Sequence, residues 1–343
     1  MGPRLQDFDY ELPPELIAQE PITPRDAARL MVVHRCDGRI EHRFFYELPA
    51  LLRPQDVLVL NETRVVPTRL LGTRRDTGGR VELLLVRPRD ERRWVALGRP
   101  GRRLRPGAEI VFGEGLPVAR VVDRLGAGEY LVEVSDGGDW ESILTRAGHV
   151  PLPPYIRRPL ADPERYQTVY ARIPGSVAAP TAGLHFTPRL LAALEERGVG
   201  LVRLLLHVGP GTFRPVRSED IAAHRMEAEY YCVSEEAAAA INAASERGGR
   251  VVAVGTTTTR CLETAGGDDG RVRAESGWTD LFIYPGYRFK VVRALITNFH
   301  LPRSTLLMLV CAFAGRELIL EAYREAVRER YRFYSFGDAM LIL

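Results

Sequence analysis

Apolar and polar residues follow two different patterns along the chain. Between residues 56 and 136, short β-rich runs are separated by glycine, proline or charged turns, and no helical period of useful length appears. Short strands at this spacing are typical of a small antiparallel barrel or sandwich of roughly 90 residues. The β-rich runs are residues 57–60, 64–71, 81–86, 94–97, 109–112, 118–122 and 130–134.

After residue 149, helical periods alternate with buried strands. Thr187 and Pro188 are suited to cap and begin a helix, and Gly198 is suited to end it. The alternation predicts an α/β layer with a largely parallel sheet. Further strands are expected at residues 201–208, 250–254, 281–284 and 295–297, and further helices at residues 235–247, after residue 255 and within residues 306–330.

The first 55 residues hold an extended segment at 28–34 and a short helix near 46–51, too little for a domain of their own. We assign them to the α/β part, which makes the barrel an insertion. The predicted fold is therefore a large α/β domain of residues 1–60 and 150–343 with a small antiparallel β-barrel of residues 61–149 inserted in it.

Composition narrows the class of protein. With 343 residues, 45% of them apolar and 27% charged, the chain can bury a large core. No window approaches the ~20 apolar residues of a membrane span, and the N-terminus lacks the apolar stretch of a signal peptide, so we expect a cytoplasmic protein without a membrane partner. The four cysteines form no CxxC pair and no HExxH is present, so no metal site is predicted.

Loops that leave the carboxyl ends of parallel strands are where open α/β sheets bind ligands. Three such loops, at residues 207–213, 255–260 and 297–302, are rich in glycine, threonine, histidine or asparagine. The stretch 178–187, with small residues and His185, precedes them and suits a loop that faces a ligand. The alternatives are an ordinary glycine turn, a helix cap and a structural histidine.

Segments spread over almost the whole chain carry a resemblance to a known family. They are Asp7-Phe8, Glu11-Leu12-Pro13, residues 61–65, 148–156, 166–171, 178–186, 207–216, 254–257, 282–286, 297–302 and 331–333, and Gly337-Asp338-Ala339-Met340. In these segments the chain resembles the S-adenosylmethionine:tRNA ribosyltransferase-isomerases of queuosine biosynthesis. The resemblance implies an α/β domain with an inserted barrel, in agreement with the hydrophobic pattern.

The resemblance also implies a reaction. The ribosyl part of S-adenosylmethionine, a substrate here, is transferred to the aminomethyl group of preQ1 at the wobble position of a tRNA and isomerised, which gives epoxyqueuosine and releases adenine and methionine. No protein partner is evident from the sequence.

This chemistry demands particular side chains. A base must take a proton from the ribose carbon next to the sulfonium, and the departing adenine needs a hydrogen-bond donor. The candidate bases are His185, His207, His224 and Glu229; the substrate amine is an alternative. The candidate substrate-binding residues are Tyr155, Pro180, Thr181, Ala182, Gly183, Phe186, Gly209, Gly211, Thr212, Phe213, Thr256, Thr257, Arg260, Tyr284, Asn298 and His300.

A basic strip suggests how the tRNA is held. The net charge is +3, yet residues 64–105 hold thirteen arginines against four acidic residues. Within this strip Arg102, Arg103 and Arg105 are candidates to contact tRNA phosphates. The alternative is an ordinary arginine-rich surface, and the sequence does not choose between the two.

Two positions depart from the family pattern. Glu227 stands where a second histidine is common, which shifts our expectation of a base toward His224 and Glu229. Glu62 stands where an asparagine is common after Asn61. Two other interpretations compete. An S-adenosylmethionine-dependent methyltransferase should have a glycine-rich loop and a paired acidic residue, which we do not find in this sequence. A non-enzymatic tRNA-binding protein would have no use for the histidine loops.

Overall fold

The computed structural model describes residues 3–126, 128–135, 137–209, 211, 216 and 218–343. The chain divides into two compact units, one made of Met1–Arg64 with Pro153–Leu343 and the other of Val65–Leu152. The first unit is an α/β structure and the second is an antiparallel barrel. The predicted fold class is confirmed.

Strands and helices are numbered in chain order. The strands are β1 (Arg29–Val33), β2 (Ile40–Phe44), β3 (Val57–Asn61), β4 (Thr63–Val65), β5 (Arg69–Arg74), β6 (Arg80–Pro88), β7 (Arg93–Arg99), β8 (Glu109–Val111), β9 (Ala119–Gly126), β10 (Glu129–Val134), β11 (Gly148–His149), β12 (Ile173–Ser176), β13 (Gly200–Leu206), β14 (Glu229–Val233), β15 (Val251–Val254), β16 (Glu275–Thr279), β17 (Ala294–Asn298) and β18 (Ala339–Ile342). The helices are α1 (Leu48–Leu51), α2 (Trp140–Ala147), α3 (Pro188–Glu196), α4 (Glu235–Glu246), α5 (Thr256–Ala265), α6 (Thr305–Ala314) and α7 (Arg316–Arg328).

The α/β unit is built on one mixed sheet with the strand order β16-β14-β13-β3-β15-β17-β18-β1-β2. Pairing is parallel from β13 through β3 and β15 to β17, and again between β18 and β1. The pairs β13–β14, β14–β16, β17–β18 and β1–β2 are antiparallel. The sheet thus has a parallel centre, and the carboxyl ends of β15 and β17 meet at one edge of that centre.

Helices cover both faces of this sheet. Because side chains alternate along a strand, Val57 and Val59 of β3 join one core with α4, α5, α6 and α7, while Leu58 and Leu60 join another with α1 and α3. All five β3 residues are buried, as expected for a central strand covered on both faces. The apolar run at residues 57–60 therefore forms the middle of the large sheet.

The predicted start of α3 is confirmed. The Thr187 hydroxyl accepts a hydrogen bond from the Leu190 backbone N–H at 3.1 Å, and Pro188 occupies the first turn. The strand predicted at residues 281–284 is wrong, because this segment is irregular and Ile283 packs into the core as a loop residue. The strand in this region is β16, which we did not predict because its polar and small residues form only a weak strand pattern.

The second unit closes on itself. Strands β5-β6-β7-β10-β9-β8 form a ring through antiparallel pairs, with β5 also paired to β8, and β11 extends β5. Leu83, Ile110 and Val132 lie in its core. Helix α2, which the strand pattern did not predict, begins at the Asp139 cap and adds Trp140 to that core.

Within the described residues, no helix is both long enough and apolar enough to span a membrane. No group of three or more histidine, cysteine or acidic side chains in the same residues is arranged to hold a metal ion. The four cysteines are free, and Cys261 and Cys311 are buried.

Candidate active site

A pocket opens in the α/β unit at the carboxyl ends of β15 and β17. Four segments distant in sequence form most of its wall: residues 178–182, 255–257, 297–301 and 334–335. The lining residues are Tyr155, Ala178, Ala179, Pro180, Thr181, Ala182, Val208, Gly255, Thr256, Thr257, Thr297, Asn298, Phe299, His300, Leu301, Ser304, Leu306, Tyr334 and Ser335. Two of the three predicted loops and the small-residue stretch thus meet in one place, and the loop after β13 reaches it through Val208.

Helix α5 begins in this pocket. Gly255 precedes it with φ at +92°, in the region that favours glycine, which turns the chain from β15 into the helix. The hydroxyls of Thr258 and Thr259 donate to the carbonyl oxygens of Val254 and Gly255 at 2.7 and 3.1 Å. Thr256 and Thr257, in contrast, line the pocket.

The small-residue stretch is tied to the loop after β17. Residues Thr181–His185 form a 3-10 helix, and the Thr181 hydroxyl donates to Asn298 Oδ1 at 2.8 Å. Asn298 in turn donates from Nδ2 to the Tyr334 carbonyl at 3.2 Å. Two predicted binding residues, 117 positions apart, are therefore in direct contact at the pocket wall.

Gly183 and Phe186 support the stretch from behind. A Cβ on Gly183 would lie 2.1 Å from the Tyr170 hydroxyl oxygen, so a side chain there would displace the tyrosine. Phe186 is fully buried and meets the ring of Phe45 edge-on at 5.0 Å. Neither residue lines the pocket.

His300 contributes a neutral ring to the pocket. Its Nε2 lies 2.7 Å from the Thr297 hydroxyl, and its backbone N–H donates to the Tyr323 hydroxyl at 2.9 Å. Burial lowers the pKa of His300 to about 3. At neutral pH the imidazole is therefore uncharged and can exchange hydrogen bonds with a ligand.

His185 lies behind the pocket wall rather than in it. Its two ring nitrogens are 3.1 Å from the Ala182 carbonyl oxygen and 2.9 Å from that of Gly337, and its ring stacks on Phe45 at 5.0 Å. Burial lowers the pKa of His185, although both carbonyls and the charge of Asp338 oppose that shift. Both nitrogens face backbone carbonyls rather than the pocket, so the geometry suits a residue that positions the Ala182 loop.

Glu229 and Arg260 form a buried ion pair. Each is 4% exposed, and Arg260 Nη1 donates to Glu229 Oε2. Glu229 Oε1 also accepts from the Gly209 N–H at 2.8 Å. Arg260 Nε donates to the Leu281 carbonyl at 2.8 Å. The predicted base and the predicted adenine donor are thus bound to each other, and neither lines the pocket.

His207 follows β13 directly and is half-buried. Its Nδ1 lies 2.8 Å from the Thr63 hydroxyl, and its ring stacks on Tyr230 at 6.0 Å. A Cβ on Gly175 would lie 2.5 Å from His207 Cε1, so this glycine gives the ring its space. Burial lowers the pKa of His207, which keeps the ring neutral at pH 7.

His224 and Tyr284 belong to a separate aromatic group. The His224 ring meets Phe282 edge-on at 5.1 Å, and Phe282 lies 5.0 Å from Tyr284. Burial lowers the pKa of His224. A Cβ on Gly211 would lie 2.7 Å from Glu227 Oε2. Thr212 and Phe213, which we also predicted to bind substrate, lie outside the described residues.

Sequence reasoning missed Tyr334 and Ser335. The Tyr155 hydroxyl lies 2.8 Å from Ser335 Oγ, and the Tyr155 and Tyr334 rings are 4.8 Å apart. Tyr334 has φ at +70°, unusual for a residue other than glycine. The sequence shows a tyrosine and a serine just before the last strand, β18. It does not show that β18 pairs with β17, which is what brings these residues to the pocket.

Comparisons with known proteins identify the family. Residues 5–342 match the family described as queuosine biosynthesis protein. The chain belongs to this family. The S-adenosylmethionine:tRNA ribosyltransferase-isomerase of Symbiobacterium thermophilum is 62% identical over 99% of this chain and 100% of its own, and that of Moorella thermoacetica is 62% identical with the same coverage.

A solved structure agrees with the assignment. The S-adenosylmethionine tRNA ribosyltransferase of Thermotoga maritima is 43% identical and superimposes with a TM-score of 0.56 over 98% of this chain and all of its own. The resemblance inferred from the motifs is thereby confirmed.

Glu62, one of the two positions that we expected to depart from the family pattern, forms an ion pair with Arg172. Glu62 is 5% exposed and its Oε1 accepts from Arg172 Nη2 at 2.9 Å. The backbone N–H groups of Arg172 and Ile173 also donate to the Glu62 carbonyl. One carboxylate oxygen of Glu62 is therefore paired, whereas Oε2 is buried without a hydrogen-bond partner among the described residues.

On the barrel, Arg102 and Arg103 lie in the 3-10 helix Gly101–Arg103, and Arg105 follows it. Arg102 and Arg105 are exposed and make no ion pair within the described residues, whereas Arg103 donates to the Arg80 carbonyl at 2.6 Å. Other arginines of the strip are neutralised locally. Arg69 and Arg99 share Glu82, and Arg74, Arg75 and Arg93 pair with Asp76, Glu109 and Asp90.

Proposed function

We propose that this chain is an S-adenosylmethionine:tRNA ribosyltransferase-isomerase that acts on preQ1 at the wobble position of a tRNA in the cytoplasm. The observation that carries the proposal is 62% identity, along the whole chain, to curated proteins of that name. In this reaction the ribosyl group of S-adenosylmethionine is transferred to the preQ1 aminomethyl group and isomerised to an epoxycyclopentane. Adenine and methionine leave.

The pocket at the ends of β15 and β17 is the proposed site for S-adenosylmethionine. Its wall is formed by chain segments that converge at the carboxyl ends of parallel strands, where open α/β sheets bind ligands. Alanine, proline and leucine side chains alternate with hydroxyl and amide groups on its wall. Such a wall suits a nucleoside with a short aliphatic arm.

His207 is the proposed base. Its Nδ1 is bonded to Thr63, whereas its Nε2 has no partner among the described residues. His207 lies beside the pocket rather than in its lining, which its neighbour Val208 joins. A neutral imidazole with one free nitrogen can take the acidic proton from the ribose carbon next to the sulfonium. Glu229 suits this role less well because Arg260 and the Gly209 N–H donate to its oxygens, and His185 because it lies behind the pocket wall.

His300 and Asn298 are the proposed partners of the leaving adenine. Both line the pocket and carry polar atoms that can donate a hydrogen bond. Adenine gains negative character as the bond to ribose breaks, so a donor held in a buried wall stabilises the transition state. The preQ1 base reaches this pocket only if the anticodon nucleotide is splayed out of its stack.

One assay tests the proposed function. The protein is incubated with S-adenosylmethionine and a tRNA that carries preQ1, and the products are separated by chromatography; the same tRNA without preQ1 is the control. Free adenine and methionine are expected only with the preQ1 tRNA. Release of S-adenosylhomocysteine would identify a methyltransferase, and tRNA binding without turnover would identify a binding protein.

A substitution tests the base. We expect His207→Gln to lower kcat by about 10²- to 10⁴-fold with a small change in KM for S-adenosylmethionine, because general-base catalysis contributes a factor of this size. His149→Gln, at an exposed histidine, is the matched control. A kcat that stays within a few-fold of the unsubstituted enzyme would assign the proton transfer to another group, such as the substrate amine.

A further inference from the structure

The first turn of α5 is buried and has no cap. Its first backbone N–H groups, those of Thr256, Thr257 and Thr258, have no acceptor among the described residues. Gly255 at the cap position has no side chain, and its own N–H donates to the Ile296 carbonyl at 2.7 Å. Buried helix ends normally satisfy these donors with a side chain, water or a ligand.

Helix α6 begins in the same pocket and shows the usual solution. The Ser304 hydroxyl accepts from the Leu307 N–H at 3.2 Å and donates to the Leu301 carbonyl at 2.7 Å. Its first turn is therefore closed by the protein's own side chain. The donors of α5 are left for something that enters the pocket.

A second, independent feature lies on the same turn. Thr257 lines the pocket and is 7% exposed, and its hydroxyl has no hydrogen-bond partner among the described residues. A buried hydroxyl without a hydrogen-bond partner is unfavourable. A ligand that accepts a hydrogen bond from it replaces the bond to water that burial removed. The two neighbouring threonine hydroxyls, on Thr258 and Thr259, already donate to backbone carbonyls.

The charge of the pocket selects the kind of ligand group. No described residue that lines it is an aspartate, glutamate, lysine or arginine, and His300 is neutral. The positive end of the α5 dipole is therefore the main fixed charge on the wall, and it favours an anion. Without a lysine or arginine, this wall suits a single carboxylate better than a phosphate.

We propose that the first turn of α5 binds the α-carboxylate of the methionine moiety of S-adenosylmethionine, through the Thr257 hydroxyl and the free N–H groups of the turn. The same positive end repels the sulfonium, so the sulfonium and ribose point away from α5. This inference rests on the proposed function, because it places one group of the proposed substrate in the proposed pocket.

The test compares two substrates that differ only in the carboxylate. The kcat/KM is measured with saturating preQ1 tRNA for S-adenosylmethionine and for its decarboxylated analogue. The enzyme is expected to prefer S-adenosylmethionine at least tenfold. Thr257→Val, which keeps the shape and removes the hydroxyl, should lower that preference about tenfold, because a hydrogen bond to a charged group contributes roughly this factor.

Matched variants separate ligand binding from folding. Thr259→Val removes a hydroxyl that bonds to the Gly255 carbonyl and should leave the preference unchanged, while Thr257→Ser should keep the preference of the unsubstituted enzyme. If Thr257→Val lowers kcat/KM for both substrates equally, the inference is overturned and the proposed function stands. If the unsubstituted enzyme releases no adenine from S-adenosylmethionine, both are overturned.

Discussion

His300 carries a polar ring into a wall that is otherwise largely apolar. Thr297 contacts Nε2 of the ring, and Tyr323 and Tyr10 bond to the backbone of His300. Burial lowers the pKa of its ring from the ordinary 6.5 to about 3. The pKa difference between the folded and unfolded states makes stability depend on pH.

The sign of that dependence follows from proton uptake. Between about pH 6.5 and pH 3 the unfolded chain binds a proton at residue 300 that the folded chain does not, so stability falls as the pH is lowered through this range. This titration should lower the unfolding free energy by about 1.4 kcal/mol per pH unit. We expect His300→Gln to abolish this contribution. Urea unfolding at pH 7, 6 and 5 measures it, with His149→Gln as control. Parallel curves for His300→Gln and the unsubstituted protein would show that the folded ring is readily protonated.

At the scale of secondary-structure elements, the Glu229–Arg260 pair joins β14, the neighbour of the edge strand β16, to helix α5. Both side chains are 4% exposed. Arg260 also donates to the Thr279 and Leu281 carbonyls, in and just after β16. The pair therefore fixes the antiparallel edge of the sheet against the helix whose first turn faces the pocket.

Breaking this pair should destabilise the unit far more than replacing it. We expect Arg260→Met to cost about 3 to 5 kcal/mol of unfolding free energy, because it leaves the Glu229 carboxylate buried without the positive charge of Arg260. The double variant Glu229→Leu with Arg260→Met should recover much of this loss. Guanidinium unfolding measures both. A single variant that loses less than about 1 kcal/mol would mean that water reaches Glu229.

Local signals account for the elements that the sequence predicted. The Thr187 cap, the buried run of β3 and the glycine turn before α5 depend on neighbours along the chain, and each is found in the structure. The strand prediction at residues 281–284 was wrong because an apolar run fits a packed loop as well as a strand. The order of strands and helices was enough to expect the 255 and 297 loops at the carboxyl ends of parallel strands, and the structure brings both to one pocket.

Tertiary contacts decided the rest of the site. His185 looked like a chemical group, yet its ring nitrogens face the carbonyls of Ala182 and Gly337, the second 152 residues away. Glu229 and Arg260 were assigned separate roles, and the fold pairs them. Tyr334 and Ser335 enter the pocket because the last strand pairs with β17. Periodicity and motif spacing contain no information on such contacts.

At the scale of the whole molecule, charge is distributed unevenly. Residues 64–105 carry thirteen arginines and four acidic residues, although the whole chain has a net charge of only +3. Several of these arginines are paired with acidic neighbours on the barrel, whereas Arg102 and Arg105 are exposed without such a partner in the described part of the chain. These two side chains, with Arg103 between them, can release counterions from an RNA backbone.

Reversing Arg102, Arg103 and Arg105 to glutamate tests this surface. If these side chains contact tRNA phosphates, affinity should fall and the slope of log K against log salt should become shallower by about 2, because each contact contributes roughly 0.7 to 0.9. The control reverses three exposed barrel arginines outside the Gly101–Arg103 turn, Arg89, Arg120 and Arg124, and so changes the net charge by the same amount. If only the overall charge of the barrel mattered, both variants would lose tRNA affinity equally and show similar slopes of log K against log salt. Only a selective loss in the first variant, measured by filter binding from 50 to 200 mM salt, assigns the tRNA contact to this turn of the barrel.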